Sequence, residues 1–154
     1  MLKITNALVK DNIMLMDIVA PIYWWMDFDS TNLAIDYEET PIGYRDFTIE
    51  DFSYENVEHM SSLSDIIDIL NSLRHEYEST NNPETKKSIL MEIVKLLPLS
   101  YNWEKLYVTI DINKALSVVE SKRGSVYSEW ELFEIFLKRE IVPYIQIKIP
   151  IKSS

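Results

Sequence analysis

Residues 13–25 read IMLMDIVAPIYWW, an apolar run interrupted by a single charge, Asp17. β-Branched and aromatic side chains crowd it and Pro21 lies inside it, so a buried β-strand suits the run better than a helix, which an internal proline would break. Residues from about 4 to 9 supply a short partner strand.

Working outward from that strand, the second half of the chain reads as helical. Ser62 and Asp65 form a capping box, after which Ile66, Ile69, Leu70, Leu73 and Tyr77 recur at helical spacing and predict a helix ending near Thr80. Asn82 followed by Pro83 is a cap with proline at the first helical position, and Ile89, Leu90, Ile93, Val94 and Leu97 carry a second stripe as far as Pro98. Residues 106–110 alternate as a strand, although the same letters also suit the opening of a helix. Asp111 is placed to cap a helix over residues 112–122. Ser128 with Glu131 is another capping box, Trp130, Phe133, Leu137 and Ile141 line the face of the helix it starts, and Pro143 is expected to end it. Residues 144–151 then alternate like an edge strand. No internal repeat and no glycine-serine linker divides the chain. The expectation is an α+β fold, a small mixed sheet packed with about four helices, in one domain spanning residues 1–154.

Composition narrows the function classes. The chain has 154 residues, 47% hydrophobic and 26% charged, which is globular rather than disordered. Its 25 acidic and 15 basic side chains leave a net charge of −10, which argues against a nucleic-acid or anionic-membrane surface, since both need clustered Lys and Arg. With no cysteine, disulfides, thiolate metal sites and cysteine nucleophiles are excluded together. No apolar run reaches the roughly 18 residues that span a bilayer, and the start of the chain carries Lys3, Asn6, Lys10 and Asp11, so a soluble cytoplasmic protein is expected.

The charge is concentrated. Residues 27–58 hold ten acidic side chains (Asp27, Asp29, Asp36, Glu38, Glu39, Asp46, Glu50, Asp51, Glu55, Glu58) against one basic, Arg45. With little helical periodicity and with Pro41 and Gly43 inside it, this segment is expected to form a long loop. Its acidity reads either as a solvated face or as a surface for a basic protein partner, with Glu38, Glu39, Glu50 and Asp51 as the partner-binding residues. Calcium is a third reading: Asp27, Asp29, Thr31 and Glu38 fall at positions one, three, five and twelve of an EF-hand spacing. Against it, Asn32 stands where glycine makes the turn, and a strand precedes the loop instead of a helix.

Other constellations are sparse. His59 and His75 each stand alone, which favours hydrogen-bonded histidines over zinc ligands, and two glycines cannot build a phosphate-cradling loop. Trp24 with Trp25, and Trp103 with Trp130, read either as core or as platforms for a base or flavin ring. Arg123, just before Gly124, reads as a helix C-terminal charge or as a bidentate anion ligand.

Several segments together have a family pattern. Lys95-Leu96-Leu97-Pro98, then Thr109, Leu116, Arg123 and Ser128-Glu129-Trp130-Glu131-Leu132, resemble the C-terminal half of flavin-dependent thymidylate synthases, which show a Leu-Pro, a strand ending in threonine, a helix and R-x-x-x-x-A-Q-W-E-I. Asp17-Ile18-Val19-Ala20-Pro21-Ile22 resembles the apolar Ala-Pro strand that leads into the family's active-site signature. The two matches cover about a third of the chain in the family's order. Ser128 replaces the alanine and Glu129 the glutamine. The resemblance implies a homotetramer with shared sites, in which FAD, reduced by NADPH, helps transfer a one-carbon unit from methylenetetrahydrofolate to dUMP. The signature R-H-R-x-x-S-x-N-x-x-S-x-R is missing: laid without a gap, it falls on Ser30, Thr31 and Asn32, then Ile35, Tyr37, Thr40 and Ile42. Arg123 alone keeps the identity of a family arginine that contacts dUMP.

Losing an arginine from a buried anion site costs about 2–5 kcal/mol per group, and carboxylates crowd this segment instead. The expectation is therefore a degenerate relative without catalytic residues, metal or cofactor, binding a basic protein through the acidic segment and forming a homo-oligomer. Two alternatives are a working thymidylate synthase that takes FAD, and a nucleotide-binding protein without turnover that uses Arg123.

Overall fold

The computed structural model of the chain describes residues 1–53 and 59–148, the side chains of 144–148 excepted. Two compact units form: Met1–Thr40 packs with the chain from Trp103 onward, and Pro41–Asn102 packs on itself.

The first unit is built on the apolar run. β1 (Lys3–Lys10) and β2 (Ile13–Pro21) make a hairpin closed by Asp11 and Asn12, with Asp11 in the left-handed region at φ +56°. β3 (Ala34–Glu39) pairs with β4 (Asn102–Asp111), and the sheet order is β1-β2-β4-β3. Every second residue of β2 (Met14, Met16, Ile18, Ala20) is buried against three helices: α1 (Ile22–Ser30), α4 (Ile112–Ser121) and α5 (Glu129–Lys148). Trp24, Trp25 and Phe28 of α1 and Trp130 and Phe133 of α5 form one aromatic cluster in this core, with ring centroids 5.0–6.4 Å apart.

Asp17 is the exception inside β2, and the sheet is shaped around it. Its carboxylate accepts the side-chain N–H of Asn6 in β1 at 2.8 Å and the backbone N–H of Tyr107 in β4 at 3.0 Å. Both donors lie at positive φ, +55° and +53°, so each neighbouring strand is bent where it meets the charge. For Tyr107 this conformation costs roughly 1–2 kcal/mol relative to glycine.

The second unit is a helix pair, α2 (Met60–Ser79) and α3 (Pro83–Leu96), with Leu63, Ile67, Leu70, Ile89 and Ile93 buried. The Asn82 side chain accepts the N–H groups of Glu84 and Thr85, as the Asn-Pro pair predicts. Phe47, Phe52 and Tyr101 form a ring cluster, and burial pushes the Tyr101 hydroxyl up to about 12. Arg74 fastens the preceding segment, donating to the carbonyls of Gly43 and Tyr44 and to the carboxylates of Asp46 and Glu78.

The α+β class holds, and several details differ from expectation. β1 with β2 and β3 with β4 run antiparallel, and the Ile112 N–H bonded to the carbonyl of Asn12 brings the end of β4 to the start of β2, so the sheet is antiparallel instead of mixed; five α-helices stand among the described residues. The run 13–25 is not one strand: β2 stops at Pro21, whose φ of −63° suits a helix start, and Trp24, Trp25 and Phe28 continue at helical spacing. α2 begins at Met60, two residues before Ser62, so the Ser62–Asp65 pair is not its cap. α5 runs through Pro143 to Lys148, because an exposed proline forfeits one backbone hydrogen bond without stopping a helix held by Trp130, Phe133, Leu137 and Ile141. Residues 144–148 are therefore helix and not edge strand, and 149–151 lie outside the described residues. The acidic segment is not a long loop either: it contains the last turn of α1, all of β3 and a 3-10 turn at Ile49–Asp51. Glu55 and Glu58 lie outside the described residues.

Candidate functional site

Lys105, in β4, is the chain's most buried cation among the described residues, with only 2% of its surface exposed. Its ammonium lies 4.3 Å from the ring centre of Tyr37, 4.6 Å from Trp25 and 4.9 Å from Trp103, with Glu39 at 3.7 Å and Asp29 at 3.8 Å. The three rings come from α1, β3 and β4. Trp25 donates its indole N–H to the carbonyl of Trp103, and Trp103 donates its own to the carbonyl of Thr40, so the walls of this cage are held by backbone. Burial, and then the nearby charges of Asp29 and Glu39, raise the Tyr37 hydroxyl pKa. Cation–π attraction and two carboxylates replace the water that the ammonium loses. An aromatic cage of this type suits a cation, and here the chain fills it with its own.

The four expected partner-binding carboxylates separate. Glu39 borders the Lys105 cage, while Glu38 is fully on the solvent side of β3. Glu50 is exposed in the 3-10 turn. Asp51 is taken by the guanidinium of Arg45 and by the backbone N–H of Thr48, which makes it a structural anchor of that turn. Asp36 and Glu38 are both exposed on β3, and among the described residues neither has an ion-pair partner.

Arg123 sits in the turn after α4, well exposed, and donates to Glu134 at 2.8 Å. Arg123 and then Lys138 hold the Glu134 carboxyl down to about 2. The positions where the thymidylate synthase signature would fall carry no cation of their own. The nearest replacement is Lys114, whose ammonium donates to the carbonyl of Asn32 at 2.6 Å.

The EF-hand spacing does not become a loop. Asp27 and Asp29 lie in α1 and Glu38 in β3; Asp27 accepts the indole N–H of Trp130 at 2.7 Å and pairs with Lys122 at 3.0 Å. Among the described residues no three His, Asp or Glu side chains gather where a metal ion could be held. His75 pairs with Asp46. Trp24, Trp25 and Trp130 are core residues, so the ring-stacking reading of them is replaced by packing. Among the described residues no helix is long and apolar enough to cross a membrane.

Sequence reasoning missed Lys105 and Arg74. Lys105 sits in the motif Trp103-Glu104-Lys105 of an alternating strand, where a charge flanked by aromatics signals a cation–π contact once the strand's inward face is known. Compared with protein-family models and with curated protein sequences, the chain matches none.

Proposed function

We propose that this chain is a binding protein without chemistry of its own, which takes a basic protein surface against the carboxylates of β3. The observation that supports this best is the placement of Asp36 and Glu38 on the outer strand of the sheet, both exposed and both without an internal cation. Other carboxylates of the acidic segment are already used: Asp27 by Lys122, Asp46 by Arg74, and Asp51 by Arg45. An outer strand also leaves backbone donors and acceptors open, so an extended basic segment gains both charge and ladder contacts there.

The thymidylate synthase resemblance enters this proposal as a scaffold without its reaction. Arg123 as a phosphate ligand would have to leave Glu134, and carboxylates surround the stretch where the family places arginines.

A lysine- and arginine-rich peptide titrated at low salt, followed by tryptophan fluorescence, tests the binding reading. Asp36→Asn with Glu38→Gln should weaken binding up to about tenfold, the sum of two exposed ion pairs. Unchanged affinity would remove the reading. Incubation with FAD, followed by removal of free cofactor, tests the other side: a retained flavin spectrum would restore the working enzyme, and a colourless protein is expected.

A further inference from the structure

We infer that the basic surface met by β3 is β1 of a second copy of this chain, and that two copies associate through the faces of their sheets opposite the three helices. This rests on the binding reading above and names its partner.

All three helices of the first unit pack on one face of the sheet, the face of Met14, Met16 and Ile18. Register places the other residues on the opposite face. β1 contributes Lys3, Leu8 and Lys10, paired with Val19, Leu15 and Ile13 of β2; β3 contributes Asp36 and Glu38, paired with Thr109 and Leu106 of β4. Leu8 is 62% exposed and Tyr107 54% exposed, while Ile13, Leu15, Val19 and Leu106 are partly exposed. Apolar side chains exposed together on one sheet face, here on either side of the hydrogen-bonded Asp17, mark an interaction site.

Its charges are ordered. Lysines lie at the β1 edge and carboxylates at the β3 edge, since β1 and β3 are the outer strands, and between them the apolar residues of β2 and β4 surround one carboxylate, Asp17, which is bonded to Asn6 and to the backbone of Tyr107. A two-fold axis running along the strands, between two such faces, lays β1 of one copy over β3 of the other, and the reverse. Lysines then meet carboxylates at both edges while the apolar strips close at the centre. Rotation about an axis across the strands would instead set lysine on lysine, so the charge pattern selects the first arrangement.

Tyr107 stands in the central strip. Its backbone is held at φ +53° by the bond to Asp17, a conformation that costs a tyrosine free energy within its own chain. An exposed aromatic ring held this way fits the anchor of an interface. Four strands at about 4.8 Å spacing, with about eight residues rising about 3.3 Å each, cover roughly 500 Å² per copy. About 1,000 Å² in total is the lower limit for a specific interface, so a weak, roughly micromolar dimer is expected.

Sedimentation velocity of the intact chain over a wide concentration range tests this. The wild type should move from monomer to dimer. Lys3→Glu with Lys10→Glu places acid against acid, and Asp36→Lys with Glu38→Lys places base against base, so each variant alone should lose at least about 30-fold in association. Mixed together the two variants are complementary again at both edges and should dimerise within about threefold of the wild type. That recovery also shows that both are folded. Tyr107→Gly, which suits the positive φ, should keep the fold and weaken the dimer about tenfold. A wild type that stays monomeric, or a dimer indifferent to the charge reversals, overturns the inference. If the monomeric protein still binds the basic peptide through Asp36 and Glu38, the binding reading survives; if it binds neither, both fall.

Discussion

At the residue scale, Lys105 shows how a charge is tolerated in a core. Burying an ammonium costs several kcal/mol, and three ring faces with two half-exposed carboxylates offset that cost without adding a large surplus. Its four-carbon stem, by contrast, fills space among Trp25, Tyr37 and Trp103. Lys105→Met, which keeps the volume, should therefore leave stability within about 1 kcal/mol, and Lys105→Ala should lower it by about 2–4 kcal/mol through the cavity it opens. Urea unfolding followed by tryptophan fluorescence measures both, since all four tryptophans belong to the sheet unit. An equal loss in the two variants would assign the stabilisation to charge instead of packing. Glu134 gives a second residue-scale prediction. Its folded pKa of about 2 lies below the ordinary 4.5, so its contribution to stability is complete above about pH 4.5 and is lost as the pH falls toward 2. In Arg123→Ala, a carboxyl-detected NMR titration should find the Glu134 pKa moved up toward the ordinary range, since the largest cause of the depression is gone.

At the scale of elements, two caps made by a single side chain were legible, while the Ser62–Asp65 pair lies inside α2 and caps nothing. Asn82-Pro83 and Asp111 are caps in the structure as in the sequence, because a cap is a local arrangement of one side chain with the N–H groups two or three residues on. Asn82→Ala should lower the stability of the α2–α3 unit by about 1 kcal/mol, read as an earlier loss of helical circular dichroism in urea. The boundaries read from Pro21 and Pro143 were harder. Pro21 was legible as a breaker of helix but not as the boundary between a strand and a helix, since the aromatic run after it satisfies both periods over so short a length. Pro143 misled in the opposite direction, because the packed face of α5 outweighs one missing hydrogen bond.

At the scale of the whole molecule, the chain divides into two units of unequal length, the shorter one inserted between β3 and β4 of the other in sequence. Within the sheet unit the exit of β3 and the entry of β4 lie side by side: the backbone N–H of Thr40 donates to the carbonyl of Glu104, and Trp103 donates to the carbonyl of Thr40. A two-residue Asn-Gly turn in place of residues 41–102 would therefore close β3 and β4 into a hairpin. The shortened chain is expected to fold, with the near-ultraviolet circular dichroism of its packed tryptophans retained. Loss of that signal would mean that the core of Met14, Trp24 and Trp130 depends on the inserted residues. The candidate binding surface belongs to this scale too. Acidity between residues 27 and 58 was plain in the sequence, but which carboxylates are free was not: Asp27 and Asp51 look like Asp36 and Glu38 until Lys122 and Arg45 are brought beside them.

The sequence by itself determined the α+β class, the β1–β2 pairing, the helix pair with its Asn82 cap and the excess of acid, all of which rest on local periodicity or composition. Only the tertiary structure decided that the sheet is antiparallel, that its three helices all pack on one face while the other carries lysine at one edge and carboxylate at the opposite one, and that Lys105 is enclosed by three rings. These depend on contacts between residues far apart in the chain, 78 positions for Trp25 with Trp103 and 90 for Asp17 with Tyr107, and no local pattern records which distant side chain will neutralise a charge or cover a face.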